Sequence, residues 1–214
     1  MITVCIPTLN RYDLLHKLID SAERGTVVPD RYLIIDNGGK LEFFGVPSGG
    51  KVDLHVPPRN MGVAASWNWL IRNSQEIRIV CNDDLEFDSD LVESIVTHYD
   101  EKKLIYPEKT SLLNIYSFFV ISDYVFNLVG EFDESISPNY AYYEDNDYDW
   151  RLKEIRSRLG NDIIDYSAIP SGYTHLGSGT IAKMSNIELQ EHHRKFKIAK
   201  NNFLRKWGRL PNDN

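Results

Sequence analysis

The sequence predicts an α/β fold with a mostly parallel central sheet. Short apolar runs, read as buried strands, alternate with helical periodicity through the first half of the chain. That βαβ alternation implies strands covered by helices. Polar, turn-forming residues follow four of the runs directly, which gives the predicted sheet one polar edge.

Residues 3–6 form the first strand. Residues 11–24 follow as a helix with Leu14, Leu15, Leu18, Ile19 and Ala22 on one face. Residues 32–35 are the second strand, ended by the turn signal Asp36-Asn37-Gly38-Gly39. Residues 52–56 are the third, stopped by Pro57-Pro58, and residues 63–71 are a helix. Residues 77–81 are the fourth strand, 91–99 a helix and 104–106 a short strand. The pattern then changes. A strand is expected over 115–121, a short helix over 123–129, an aromatic loop over 130–143 and a helix over 150–159. A strand over 162–168 and a long helix over 186–207 complete the chain.

At 214 residues the chain is one large domain or two small ones, and without a visible linker one domain over 1–214 is the better parse. A chain of this size buries roughly 70% of its unfolded surface and needs no disulfide. Cys5 and Cys81 lie in strand-like runs with no metal-ligand spacing, so reduced core thiols are expected. The start, Met1-Ile2-Thr3, has no basic segment, and no apolar run approaches the roughly 20 residues of a membrane span. A cytoplasmic location is expected, in the host cytoplasm if the chain is viral. The net charge of −7 argues against a general nucleic-acid binder.

The four strand ends carry the functional argument. They are Pro7-Thr8-Leu9-Asn10-Arg11, Asp36-Asn37, Arg59-Asn60-Met61-Gly62 and Asn82-Asp83-Asp84. In a parallel sheet these share one edge, where α/β folds bind ligands. Adjacent Asp83 and Asp84 repel unless a cation or water network compensates them. A hard divalent ion bridging a diphosphate would do so. A helix start at Gly62 lets backbone N–H groups approach a phosphate. Each cluster alone also makes an ordinary turn, and Asp-x-Asp pairs recur at Asp88/Asp90, Asp145/Asp147 and Asp147/Asp149. The position after a predicted central strand distinguishes Asp83-Asp84.

From Val4 to about Gly179 the chain resembles the GT-A glycosyltransferases of the inverting family 2 type. The matching segments are Val4 to Arg11, Ile34 to Gly38, Asn60 to Asn68 and Asn82 to Glu86. Gly130 to Glu134 followed by Tyr143 to Asp147 completes the series. The chain's compactness is similar to that of small glycosyltransferase domains of large algal viruses. The resemblance implies a GT-A, Rossmann-like nucleotide-diphosphosugar transferase fold. Its nucleotide-sugar-binding half would span 1–106 and its acceptor-binding half 107–214. The family's first metal-motif Asp is Asn82 here. Asp84 is therefore expected as the direct ligand of Mn²⁺ or Mg²⁺, with Asn82 or Asp83 nearer the ribose.

The resemblance also implies the remaining roles. Pro7, Thr8, Asn10 and Arg11 would line the base and phosphates. Asp36 would read uracil N3–H, or else form an Asx turn. Asn60, Gly62 and Asn68 would contact ribose or diphosphate, although Asn68 also fits a polar helix face. His175 would complete the metal shell or touch the diphosphate, although a lone His is more often structural. Ser178-Gly179-Thr180 fits a loop ordering over the donor, or a plain turn. Asp145, with Glu144 beside it, would be the base, although both suit a helix N-terminus. Tyr140, Tyr142 and Tyr143 before them suit a sugar acceptor.

The expected activity is transfer from a UDP-sugar to a hydroxyl of a glycan, glycoprotein or glycolipid. The alternatives are a sugar-nucleotide pyrophosphorylase and a non-catalytic nucleotide-sugar or glycan-binding module. The first would want a Gly-rich, basic loop after strand one, which Pro7-Thr8-Leu9-Asn10 is not. The last helix carries Phe196, Ala199, Phe203 and Trp207 at helical spacing among six basic residues. Packing on the domain is expected, with weak membrane-surface contact as the alternative.

Overall fold

The computed structural model describes residues 1–45, 51–109, 115–177 and 184–211. The chain runs β1 (Ile2–Thr8), α1 (Tyr12–Glu23), β2 (Arg31–Asp36), α2 (Leu41–Phe44), β3 (Val52–His55), α3 (Val63–Arg72) and β4 (Ile77–Cys81). It continues β5 (Leu85–Phe87), α4 (Leu91–His98), β6 (Lys103–Lys109), β7 (Phe118–Ile121), α5 (Asp123–Val129), α6 (Glu144–Leu159), β8 (Asp165–His175) and α7 (Asn186–Trp207).

The sheet order is β3-β2-β1-β4-β7-β6-β8-β5. The first four strands are parallel, in line with the βαβ reading. Four of the seven pairings are parallel, β6–β8 among them, so the sheet is mostly parallel as expected, with antiparallel pairings beyond β4. β7 runs antiparallel to β4 and to β6, and β5 antiparallel to β8. Between β6 and β7, residues 110–117 are too few for the parallel crossover of about a dozen residues.

Both faces of β1, β2 and β4 are covered, so the middles of these strands are apolar. Val4, Ile6, Ile34, Ile79 and Cys81 pack on α1 and α4. Cys5, Leu33, Ile35 and Val80 face Trp67, Leu70, Val125, Tyr148 and Leu152 of α3, α5 and α6. The two cysteines thus lie in opposite layers, free and buried. Burial pushes the Cys5 thiol up to about 11, which suits an inert core residue.

Several elements differ from expectation, α2 and β5 being additional to it. Residues 115–117 form a 3₁₀ turn and only 118–121 the strand. Helix α6 starts at Glu144 rather than near 150, because acidic residues, poor in helix interiors, are favoured in a first turn. Strand β8 runs on to His175, where it pairs with the short β5.

Helix α7 starts in a reciprocal capping box between Ser185 and Glu188. Ala199 and Phe203 are fully buried, and Trp207 packs edge-on against Trp150. Lys206 is held by Asp133 and Asp147, each at 2.7 Å. Lys195 lies 4.5 Å from the Tyr140 ring centre. Among the described residues, no helix is long and apolar enough to cross a membrane.

Candidate active site

The ends of β1, β2 and β4 and the loop after β3 meet at a cleft of about 270 Å³. Pro7, Thr8, Asn37, Asn60, Gly62, Asn82, Asp83 and Asp84 line one side, and Tyr140, Tyr142, Met184 and His192 close the other. Thr8 Oγ1 donates to Asp83 Oδ2 at 2.6 Å. Burial above all pushes the Asp83 carboxyl up to about 7, and the charge of Asp84 adds to the rise. The Thr8 bond, a backbone bond to Leu9 and the Arg11 charge oppose it. Such an acid pair favours a cation.

The β5–β8 ladder sets Leu85 opposite His175 and so brings His175 to Asp84. Asp84 Oδ1 and His175 Nε2 are 3.4 Å apart. Neighbouring ligands of an octahedral ion, each at roughly 2.1 Å, stand about 3 Å apart, so the two side chains fit one divalent ion. Among the described residues no cluster of three His, Cys, Asp or Glu could hold a metal. The pair therefore suits an ion completed by phosphate and water rather than a protein cage. Gly177 N–H donates to His175 Nδ1 at 3.1 Å, which leaves the ring proton of the neutral imidazole on Nε2. Ligation through Nε2 would move that proton to Nδ1 and would require the Gly177 N–H bond to break.

Several expected donor contacts lie outside the cleft. Asn68 is fully buried: Nδ2 donates to Phe132 O at 2.9 Å and Glu134 Oε1 at 3.0 Å, and Oδ1 accepts Phe132 N–H at 2.9 Å. This corrects its assignment to ribose or diphosphate; Asn68 pins the loop after α5. The space at Gly62 (φ +79°) is taken by protein backbone, since a Cβ there would stand 2.3 Å from Tyr140 N. Val63 N–H donates to Tyr140 O at 2.6 Å. Gly62 itself lines the cleft, and the start of α3 beside it is docked on the 139–140 backbone.

Asp36 is buried, and its carboxylate accepts from Tyr12 Oη at 2.8 Å, Gly38 N at 3.0 Å and Leu41 N at 2.8 Å. Three of about four acceptor positions are filled, as in an Asx turn. Its neighbour Asn37 lines the cleft instead, and Asn37 Oδ1 holds Met61 N–H at 2.9 Å. Asn60 Oδ1 likewise holds Gly62 N–H at 2.8 Å. Asn10 (φ +58°) supports the same turn, packed so close that a Cβ on Gly38 would stand 2.5 Å from its Oδ1. Arg11 is buried in a two-point pair with Asp13 at 3.0 and 3.1 Å. Its charge is felt at Asp83, from outside the cleft wall.

A second cavity of about 390 Å³ shares Val63, Asn82, Ala141 and Tyr142 with the first. Trp67, Tyr116, Tyr143, Glu144, Asp145 and Phe196 line the rest. Glu144 is buried, and its Oε2 has no hydrogen-bond partner among the described residues. Burial, then the charge of Asp145, pushes its carboxyl up to about 8. Asp145 is half-buried in the cavity wall. Tyr142 (φ +93°) and Tyr143 (φ +69°) hold unusual backbone just before this acid pair.

Sequence reasoning missed Met184 and His192 as cleft residues. The signal was present for one: His192, Phe196, Ala199 and Phe203 recur at helical spacing on a single face. The expected loop at Ser178–Thr180 lies outside the described residues.

Residues 3–108, which carry the whole strand-end edge of the cleft, match the family described as glycosyl transferase family 2. The chain carries a domain of that family over these residues. It is a glycosyltransferase of GT-A fold. No curated protein sequence matches it. Solved structures share the fold at low identity. The mannosyltransferase PcManGT of Pyrobaculum calidifontis, in complex with GDP-Man and Mn²⁺, is 11% identical with a TM-score of 0.56, over 98% of this chain and 76% of that one. A mycobacterial protein is 16% identical with a TM-score of 0.58, over 99% and 76%. S. aureus TarS 1-349 in complex with UDP-GlcNAc is 14% identical with a TM-score of 0.55, over 92% and 66%.

Proposed function

We propose that this glycosyltransferase moves a sugar from a UDP-sugar to an acceptor hydroxyl with inversion. The carrying observation is two cavities that meet at Asn82, one bearing Asp83-Asp84 and the other Asp145. The donor lies in the first and the acceptor in the second. Asp84 and His175 would hold a divalent ion, which supplies Lewis-acid neutralisation of the leaving diphosphate. Thr8 keeps Asp83 oriented at the same edge. Asp145 takes the proton of the acceptor hydroxyl as its oxygen attacks the anomeric carbon from the face opposite the diphosphate. The aromatic walls of the second cavity stack on the sugar and keep water out.

Support for a sugar-nucleotide donor comes from the relatives bound to UDP-GlcNAc, UDP and GDP-Man, and support for the metal from the one bound to Mn²⁺. The test is a panel of UDP-, GDP- and CDP-sugars with and without Mn²⁺, read by thermal shift and nucleotide release. A UDP-sugar should raise Tm most and only with metal, since a ligand of the folded state stabilises it. A larger metal-dependent shift with GDP-Man would move the donor assignment. A shift without nucleotide release would favour a non-catalytic nucleotide-sugar-binding module, and no shift with any of them would count against a sugar-nucleotide donor.

A further inference from the structure

Tyr140 stands where three parts of the site meet. Its carbonyl receives the first N–H of α3, and its backbone fills the space beside Gly62. Its hydroxyl shares a 2.7 Å hydrogen bond with Nδ1 of His192, which is 9% exposed. Two residues later come Tyr142 and Tyr143, both at positive φ, and then the acid pair that opens α6. Large side chains rarely adopt such backbone, and it persists only where surrounding structure enforces it. No side-chain cap at Tyr143 helps to hold the turn. Contacts from α7 brace it, beside the Ser137 Oγ bond to Ala141 O at 2.6 Å. Tyr142 packs edge-on against His192 at 5.4 Å and Phe196 at 5.0 Å, and Tyr143 lies 5.6 Å from Phe196 and 5.3 Å from Phe203.

We propose that Tyr140 and His192 form a positioning pair that sets the 142–145 segment, and with it Asp145, against the donor cleft. The catalytic part of this inference rests on the transferase reading above. Neither residue needs to touch the reacting atoms. The pair acts by tying α7 to the one residue whose backbone already clamps the start of α3, so both cavities share a single reference point. Simple core packing would make a different prediction: loss of the pair would loosen donor binding as much as turnover.

The test compares Tyr140→Phe, His192→Phe and the double variant in the full chain. Three quantities are read: amide hydrogen exchange, UDP affinity with Mn²⁺, and UDP release from UDP-GlcNAc with methyl glycosides as acceptor probes. Each single variant should speed exchange at 142–147 about tenfold and leave the β1–β4 amides unchanged. Turnover should fall about tenfold and UDP affinity by clearly less, since both residues also line the donor cleft, and the double variant should be no worse than the worse single, because the two residues act as one unit. Unchanged exchange at 142–147, additive losses, or an equal loss of UDP affinity would overturn the pair. If exchange responds but the unaltered chain turns over no sugar nucleotide, the pair stands and the transferase reading falls. If the chain is active and the variants match it in exchange and turnover, the reading stands and the pair falls.

Discussion

The two cavities are held by different kinds of contact. On the donor side, turns at neighbouring strand ends brace one another: Thr8 with Asp83 and Asn37 with Met61, while Asn60 holds Gly62 within its own loop. The first two join residues that the parallel ladder already brings close. On the acceptor side the 131–147 segment is held from far along the chain, by α7. His192 reaches Tyr140 across 52 residues and Asn202 reaches Ser135 across 67. Trp207 Nε1 donates to Asp147 Oδ1 across 60. The strand-end edge is therefore a property of the sheet, whereas the acceptor wall is held by α7 together with Asn68 of α3. Disturbance of α7 should cost turnover more than it costs nucleotide binding.

The largest expected effect breaks that comparison most cleanly. Asp145→Asn keeps shape but removes a base, so turnover should fall roughly 10²–10⁴-fold. Glu144→Gln is its control and should cost less at neutral pH. A larger loss in Glu144→Gln would exchange the two roles.

Asn68→Ala tests a residue corrected from ligand contact to brace. It strands the buried Phe132 N–H and C=O, each worth about 1–3 kcal/mol. A stability loss of that order in denaturant, with UDP affinity retained once folded, is expected. Normal stability with lost UDP binding would restore the donor role.

Glu144 gives a smaller, pH-dependent effect. Its folded carboxyl is pushed up to about 8, above the ordinary glutamate value. Between those two values the folded chain keeps a proton that the unfolded chain has released, so this residue's contribution to stability falls as pH rises. Glu144→Gln removes the titration. Its Tm relative to the unaltered chain should climb between about pH 5 and about pH 9, by about 2–4 °C for each kcal/mol recovered. A pH-independent difference would contradict the buried assignment.

Asp36→Ala should have the smallest selective effect. If the turn is its whole role, UDP and CDP affinities fall together; a greater loss for UDP would place the uracil N3–H on its remaining acceptor position.

The same contrast decides what the sequence made legible. Strands β1 to β4, their turns and the edge they share follow from local periodicity and turn chemistry, and the structure brings Thr8, Asn60, Asn82, Asp83 and Asp84 together there. Asp84 and His175 are joined through β5, a three-residue strand too short to show any alternation. Asn68 reads as a polar helix face or a ligand contact, and only the return of Phe132 shows that it is a buried brace. The reach of α7 into the cleft is likewise a tertiary fact, visible in sequence only as His192 in line with Phe196, Ala199 and Phe203.

The division into a metal-bearing donor side and a base-bearing acceptor side is tested most directly by calorimetry of UDP, with and without Mn²⁺, on Asp84→Ala and Asp145→Asn. Asp84→Ala should lose the Mn²⁺ enhancement of UDP affinity, by at least about tenfold, while the fold survives. Asp145→Asn should keep that enhancement within about twofold, since the residue lies on the other side of Asn82. An intact Mn²⁺ effect in Asp84→Ala, or its loss in Asp145→Asn, would contradict the division.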